Sequence, residues 1–246
     1  MKPPGAAELL TLWEQGMDLS LLRKTLLLLE VAYPEMEPED IAKLSIGARD
    51  ARLFRLREWM FGSSFLNTID CPECMKQMEW EMRMEDLVML SQYSEEAASE
   101  YNIESGNYKV RFRLPNSRDV SEVLSTNVSQ SDSETLMQKC ILEVNQKSGK
   151  QQVRKLPAKL MGDLSAKMEE LDPAADIRMN ITCPNCAFRW EARFDIMSYL
   201  WEEIENWAQR ILRDVVLVAK TFGWSEKEIL NMGATRRQRY VEMITV

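Results

Sequence analysis

The sequence contains no histidine among its 246 residues. It also has no glycine-rich loop of the kind that cradles phosphate and no carboxylate pair placed by a recognisable catalytic motif. Nothing that remains in the sequence forms a catalytic constellation. We therefore expect a protein that is not an enzyme and has no small-molecule substrate.

Long apolar runs are absent as well. No uncharged stretch approaches the roughly 20 residues that a bilayer-spanning helix needs. The longest apolar stretches, residues 26–29 and 215–219, are short and flanked by charge. The first five residues lack the charged-then-apolar order of a signal peptide. We expect a cytoplasmic protein without a membrane span.

The sequence has fewer positively charged than negatively charged residues. Lysine and arginine number 31 against 39 aspartates and glutamates, which gives a formal net charge of −8. A general nucleic-acid binder needs a basic surface for phosphate contacts, so this balance disfavours that class. The length and the 45% apolar content are ample for a folded core.

Four of the five cysteines lie in two CPxC motifs, at residues 71–74 and 183–186. A CxxC turn presents two sulfurs from one bend, and two such turns complete a closed tetrahedral shell, which suits zinc. The absence of histidine leaves a four-thiolate shell as the conventional zinc site. The motifs predict one structural zinc ion held by Cys71, Cys74, Cys183 and Cys186.

Other roles for these cysteines are weaker. A single CxxC motif can be a redox pair, but one redox centre needs only one copy. A disulfide is the second alternative, and it fits poorly with a chain that shows no export signal. A catalytic zinc would need an open position that four thiolates do not leave. The fifth cysteine, Cys140, lies in a helical pattern and is interpreted as a small buried hydrophobe.

Hydrophobic periodicity divides the chain into helical and extended parts. Residues 1–62 show helical spacing, with Ser45 as a candidate cap and Gly62 as a stop. Alternation with a period of two predicts strands at residues 65–70, 78–84, 177–181 and 188–194, so that each CPxC motif lies at the tip of a β-hairpin. A further alternating stretch, residues 108–114, predicts an added strand whose basic face could pair with Glu79 and Glu81.

These patterns predict an α+β protein. Its centre is a zinc-ribbon-like β unit of two CPxC hairpins plus an added strand, flanked by N-terminal and C-terminal amphipathic helices. The predicted domains are residues 1–62, residues 63–198 with an insertion at about 116–172, and residues 199–246 packing back on the first helices. Within the insertion, residues 116–132 are interpreted as a loop, and residues 133–144 and 156–171 as helices.

The C-terminal segment has the clearest helical pattern. Apolar residues recur at steps of three and four from Leu200 to Phe222, and this wide stripe must bury against something. The simpler interpretation is that it packs on the chain's own N-terminal helices. The alternative is that part of it docks another subunit, with Trp201 and Trp207 as candidate anchors if they are exposed.

Several segments, taken in order, resemble the baseplate-hub assembly proteins, or hub assembly chaperones, of T-even-type phages and related contractile injection systems. The segments are LSIGARD at 44–50, VRFRLPN at 110–116 and FDIMSYLWEEI at 194–204. The resemblance spans nearly the whole chain, and the CPxC motifs alone would not carry it.

This resemblance implies a role in assembling a baseplate or hub, with baseplate and hub proteins as partners, either in the cytoplasm or within the assembled particle. The alternative function is a zinc-ribbon nucleic-acid-binding or transcription accessory protein. Its basic face would come from two groups of arginines: Arg49, Arg52, Arg55 and Arg57, and Arg236, Arg237 and Arg239.

Overall fold

The computed structural model describes residues 1–93, 100–125, 132–146 and 156–245. In these ranges the helices are α1 (Ala6–Gly16), α2 (Leu21–Ala32), α3 (Pro38–Lys43), α4 (Ile46–Phe61), α5 (Ser117–Ser125), α6 (Asp132–Cys140), α7 (Ala158–Leu171), α8 (Ile196–Phe222), α9 (Glu226–Leu230) and α10 (Ala234–Thr245). The strands are β1 (Ser64–Asp70), β2 (Gln77–Arg83), β3 (Tyr101–Ser105), β4 (Tyr108–Phe112), β5 (Ile141–Gln146), β6 (Ile177–Thr182) and β7 (Arg189–Phe194). Short 3₁₀ helices cover Met84–Asp86, Val88–Gln92 and Pro173–Ala175. No helix in these ranges is long and apolar enough to cross a membrane.

The chain forms two compact units. The first, here called the helical unit, joins Met1–Glu37 to Ile196–Val246, and the second, the sheet unit, is Pro38–Asp195. The boundaries fall at residues 37 and 195, whereas periodicity placed them at 62 and 198. The difference arises because α3 and α4 belong to the sheet unit, where α4 buries Phe54 against aromatic residues of the strands.

In the helical unit, α8 carries the apolar stripe on which shorter helices pack. Residues of α1, α8, α9 and the turn after α9 share one buried cluster, which consists of Leu10, Ala208, Ile211, Val215, Val218, Ile229, Leu230 and Met232. Trp201 of α8 is 9% exposed, and Lys24 of α2 places its ammonium 4.7 Å from the centroid of the indole ring. A Cβ atom added to Gly16 would overlap that ring. Glycine at position 16 therefore lets α1 lie against Trp201.

In the sheet unit, β1–β2 and β6–β7 are separate antiparallel hairpins, and β3–β4–β5 form a third sheet. The four strands predicted around the CPxC motifs are therefore confirmed. The strand predicted at 108–114 is also present as β4. Its predicted pairing with Glu79 and Glu81 is wrong, because β3 and β5 occupy both of its edges. Arg111 of β4 pairs instead with Glu100 and Glu143.

Two other predictions in the insertion need correction. Helix α6 ends at Cys140, and the chain continues as β5 rather than as helix to residue 144. The predicted loop at 116–132 contains α5, because the Asn116 side chain accepts hydrogen bonds from the amides of Arg118 and Asp119 and so caps a helix. The rest of that stretch, residues 126–131, lies outside the described residues.

Cys140 is fully buried in a cluster with Val110 and Phe112. Burial raises the pKa of its thiol to about 12. The interpretation of Cys140 as a small buried hydrophobe is therefore confirmed.

A buried polar network fixes the start of α4. The carboxylate of Asp172 accepts hydrogen bonds from the Ser45 hydroxyl (3.0 Å), the Gly47 amide (3.0 Å) and the Tyr93 hydroxyl (2.7 Å). The Ser45 oxygen in turn accepts from the Ala48 amide, as a helix cap does. A Cβ atom at position 47 would overlap both Tyr93 and Asp172. The segment LSIGARD thus begins a helix, and its first residues bind the carboxylate of Asp172, which is distant in the sequence.

The contact between Gly16 and Trp201 gives a testable prediction. Gly16→Ala should lower the free energy of unfolding by about 1–3 kcal/mol, because the added methyl group forces the indole ring or α1 to shift. Gly162→Ala is the matched control: nothing lies within 4 Å of a Cβ atom added there, so removing a helical glycine should stabilise by about 1 kcal/mol. Urea denaturation of both variants measures the difference. A Gly16→Ala variant as stable as the wild type would contradict the packing described.

Candidate metal centre

The two CPxC turns have the same backbone geometry. In the first, the Cys71 amide donates to the Lys76 carbonyl (3.0 Å), and the Met75 amide donates to the Cys71 carbonyl (2.9 Å). The second turn repeats both bonds, from Cys183 to Phe188 (2.8 Å) and from Ala187 to Cys183 (2.9 Å). The residue after the second cysteine is left-handed in both turns, with φ of 56° at Met75 and 59° at Ala187. The repeat seen in the sequence is therefore a repeat of conformation.

The four sulfurs converge on one point. Cys71 Sγ lies 3.6 Å from Cys186 Sγ, Cys74 Sγ lies 3.7 Å from Cys183 Sγ, and all four lie within 4.8 Å of one another. A regular tetrahedron with metal–sulfur distances of about 2.3 Å has edges of about 3.8 Å. The observed separations fit that shell and are far longer than a disulfide bond of about 2.0 Å. The predicted convergence is confirmed, and the donor set fits one metal ion.

Backbone amides lower the pKa of two of the four thiols. A hydrogen bond from the Lys76 amide lowers the pKa of Cys74 to about 6, and a hydrogen bond from the Cys186 amide lowers the pKa of Cys183. The Phe188 amide acts on Cys186 in the same direction, but burial and the neighbouring sulfurs outweigh it and raise its pKa to about 12. A bound cation would displace that remaining proton, because a coordinating thiol is deprotonated outright.

Side chains outside the four ligands support the cluster. Asn185 Nδ2 donates to Cys74 Sγ (3.6 Å), and Lys76 Nζ donates to Asn185 Oδ1 (2.9 Å). The two residues lie on different turns, so this pair joins the turns beside the sulfurs. Sequence reasoning missed both residues, because neither is a conventional metal ligand and the contact depends on how two distant turns meet.

Aromatic packing positions the opposite ends of the hairpins. Phe54 of α4 lies 5.7 Å, between ring centroids, from both Phe65 of β1 and Phe194 of β7, and the latter two rings are 6.1 Å apart. Arg57 stacks over Phe65 (3.9 Å to the centroid) and donates to the carbonyls of Gly62 and Ser64. Each hairpin is thus held at its base by α4 and at its tip by the sulfurs.

The other residues singled out in the sequence have different surroundings. Trp201 is buried in the helical unit, so it is not the exposed anchor for a partner that the sequence suggested. Trp207 is half-buried against the cluster centred on α8. Arg49 and Arg57 are 2% and 3% exposed, and Arg237 is 6% exposed. These three arginines therefore do not contribute to the two predicted basic faces, whereas Arg55, Arg236 and Arg239 are exposed.

The buried Arg49 and the half-buried Arg113 have structural partners. Arg49 Nε donates to Asp50 Oδ1 (2.7 Å), and Arg49 Nη1 donates to Ser117 Oγ (3.3 Å). Arg113 makes two hydrogen bonds to the carboxylate of Asp119, at 2.6 and 2.7 Å. Paired guanidinium and carboxylate groups are the usual form in which such charges are buried. Arg49 of LSIGARD thus joins α4 to the start of α5, and Arg113 of VRFRLPN joins the end of β4 to the same helix.

The fold and the site define a mixed α+β protein with small antiparallel sheets and a four-cysteine cluster typical of a zinc-ribbon-like site. A family model for the T4 bacteriophage base plate protein matches residues 27–199. That span is more than half of the chain and contains both CPxC motifs, so the protein belongs to this baseplate family. Searches of curated proteins and of solved structures gave no significant match.

The left-handed residues yield a testable prediction at the site. Ala187→Gly should raise the free energy of unfolding by about 0.5–1 kcal/mol, because glycine adopts positive φ without the steric cost that alanine carries. Ala166→Gly, at an exposed position inside α7, is the control and should lower it by about 1 kcal/mol. Both are measured by denaturation of metal-loaded protein. Loss of stability in Ala187→Gly would contradict the turn geometry.

Proposed function

We propose that this protein is a non-enzymatic, zinc-binding structural or assembly protein, of the hub assembly chaperone type, in the baseplate or hub of a phage tail or a related contractile injection system. The observation that carries the proposal is the baseplate family match over residues 27–199, which encloses the complete four-cysteine cluster. The partners would be baseplate or hub proteins.

The geometry of the sheet unit suits a part that presents surfaces to neighbours. A two-stranded hairpin is marginally stable alone, but here each is fixed at its base by the Phe54 cluster and at its tip by the sulfurs. Leu66 on β1 is 63% exposed, and Met75 beside the first turn is 70% exposed. Rigid strands with exposed apolar side chains are what a protein needs to hold a partner in register.

Zinc is the metal that the donor set favours. Soft thiolates in a closed tetrahedral shell are typical of structural zinc, and the ligands leave no open position for a substrate. Such a shell couples binding to folding, since the unfolded chain does not hold the four sulfurs together. The metal would therefore stabilise the two hairpins rather than supply chemistry.

The zinc proposal is tested by metal content and stability together. Natively purified protein should contain one zinc per chain by elemental analysis, and Cys74→Ser should lose it and lower the melting temperature, as should a chelator. Cys140→Ala is the matched control, because it removes a cysteine outside the cluster and should keep one zinc. Iron in place of zinc would overturn the identity of the metal. An unchanged melting temperature after metal removal would overturn its structural role.

The assembly role is tested by deleting the gene. The deletion should abolish complete contractile particles while sheath and tube proteins are still expressed, as judged by electron microscopy and immunoblotting. Complementation with the wild-type gene should restore particles, and complementation with Cys74→Ser should not. Normal numbers of full-length contractile particles in the deletion strain would refute the role. Tight, salt-sensitive binding of the purified protein to nucleic acid would then support the alternative function.

A further inference from the structure

The helical unit contains a charged cleft between α8 and α10 that the metal centre does not explain. Its volume is 830 Å³. We call it the arginine cleft. It is lined by Trp207, Arg210, Ile211, Arg213, Asp214, Ala234, Thr235, Arg237, Gln238, Arg239 and Glu242. Four guanidinium groups face two carboxylates there, in a chain whose net charge is −8.

Arg237 is the buried member of this set. Its side chain is 6% exposed, yet within the part of the chain that the structure describes it has one hydrogen bond, from Nη1 to the Met232 carbonyl (3.3 Å), and no carboxylate within ion-pair distance. Burial lowers the pKa of Arg237, and Asp214 offsets this only in part. A buried cation without an ion-pair partner is costly. An anion entering the cleft would supply the missing partner.

The rest of the lining is arranged for the same ligand. Arg210 and Arg213 lie one turn apart on α8, and Arg213 Nε donates to the Gln209 carbonyl, which fixes its stem. Ala234 and Thr235 belong to the first turn of α10, where unpaired amides and the helix dipole favour negative charge. Guanidinium groups bind carboxylates through two parallel hydrogen bonds. Several of these groups together would hold more than one carboxylate.

The size and the walls of the cleft distinguish an acidic peptide from a small phosphate ion. Pockets of this volume enclose a sizeable ligand. Trp207 and Ile211 add an apolar wall, which a side chain can contact and an inorganic ion cannot. Asp214 and Glu242 would repel a multiply charged phosphate more strongly than single carboxylates spaced along a peptide.

We propose that the arginine cleft binds an acidic segment of a protein partner, with aspartate or glutamate carboxylates on its arginines and an apolar side chain against Trp207 and Ile211. The identification of this partner as a baseplate protein rests on the proposed assembly role. Binding of an acidic peptide is nevertheless measurable on the purified protein alone. If the peptide failed to bind, the inference about the cleft would be wrong, but the gene-deletion experiment would still test the assembly role.

The test is fluorescence anisotropy of a labelled peptide of alternating glutamate and leucine with the full-length, metal-loaded protein. We expect saturable binding that weakens as salt is raised. Arg210→Gln and Arg239→Gln should each weaken it by about tenfold, the effect of one charged hydrogen bond. Arg236→Gln is the matched control: it removes the same charge from an exposed position of α10 outside the lining, so affinity should stay within about twofold.

Arg237 gives a second readout. Arg237→Met should abolish peptide binding while the melting temperature of the ligand-free protein is kept or raised, because an unpaired buried charge is replaced by an apolar chain. Equal binding of a glutamine–leucine peptide, or unchanged affinity in Arg210→Gln and Arg239→Gln, would overturn the proposal. So would tighter binding of inorganic phosphate or of a single-stranded oligonucleotide through the same arginines, which would assign the cleft to phosphate instead.

Discussion

The sheet unit depends on four sulfurs that the chain brings together from far apart. Cys71 and Cys186 are separated by 115 positions, and Cys74 and Cys183 by 109. The hairpins they close belong to different sheets. Among the described residues, neither hairpin has a third strand to stabilise it. The sulfur cluster therefore lies at the tips of both hairpins, and the Phe54 cluster lies at their bases.

A second long-range contact, here called the Asp172 tie, acts alongside the tie formed by the four sulfurs. Asp172 bonds the Gly47 amide across 125 positions, and it reaches the same helix that supports the hairpins. The cysteines and Asp172 thus close nearly the same loop of chain twice. Burial, with the Asp172 charge next, raises the pKa of Tyr93 well above its ordinary value, so its hydroxyl remains a donor to that carboxylate. The segment between the ties, which includes the β3–β4–β5 sheet, is a large insertion anchored at both ends.

The sequence predicted the features that depend on local pattern. Alternation predicted the four hairpin strands, and the CPxC motifs predicted the four clustered cysteines, because both signals lie within a few neighbouring residues. It failed where a distant partner decides the outcome. The edges of β4 are taken by β3 and β5, which have weaker patterns, and Trp201 is buried because Gly16 leaves room for its ring. The roles of Ser45 and Arg49 in LSIGARD could not be predicted, because their partners Asp172 and Ser117 are distant in the sequence.

The matching conformation of the two CPxC turns has a consequence for assembly of the protein itself. Each hairpin supplies two of the four clustered sulfurs, and the pair on one chain is chemically equivalent to the same pair on another. Within one chain the two cysteine pairs are tethered, which raises their effective concentration above that of pairs on separate molecules. If these sulfurs bind the proposed metal ion, hairpins from different chains would be able to complete each other's shells and form swapped oligomers. Early closure of the Asp172 tie would favour the correct pairing by bringing the two cysteine pairs of one chain together first.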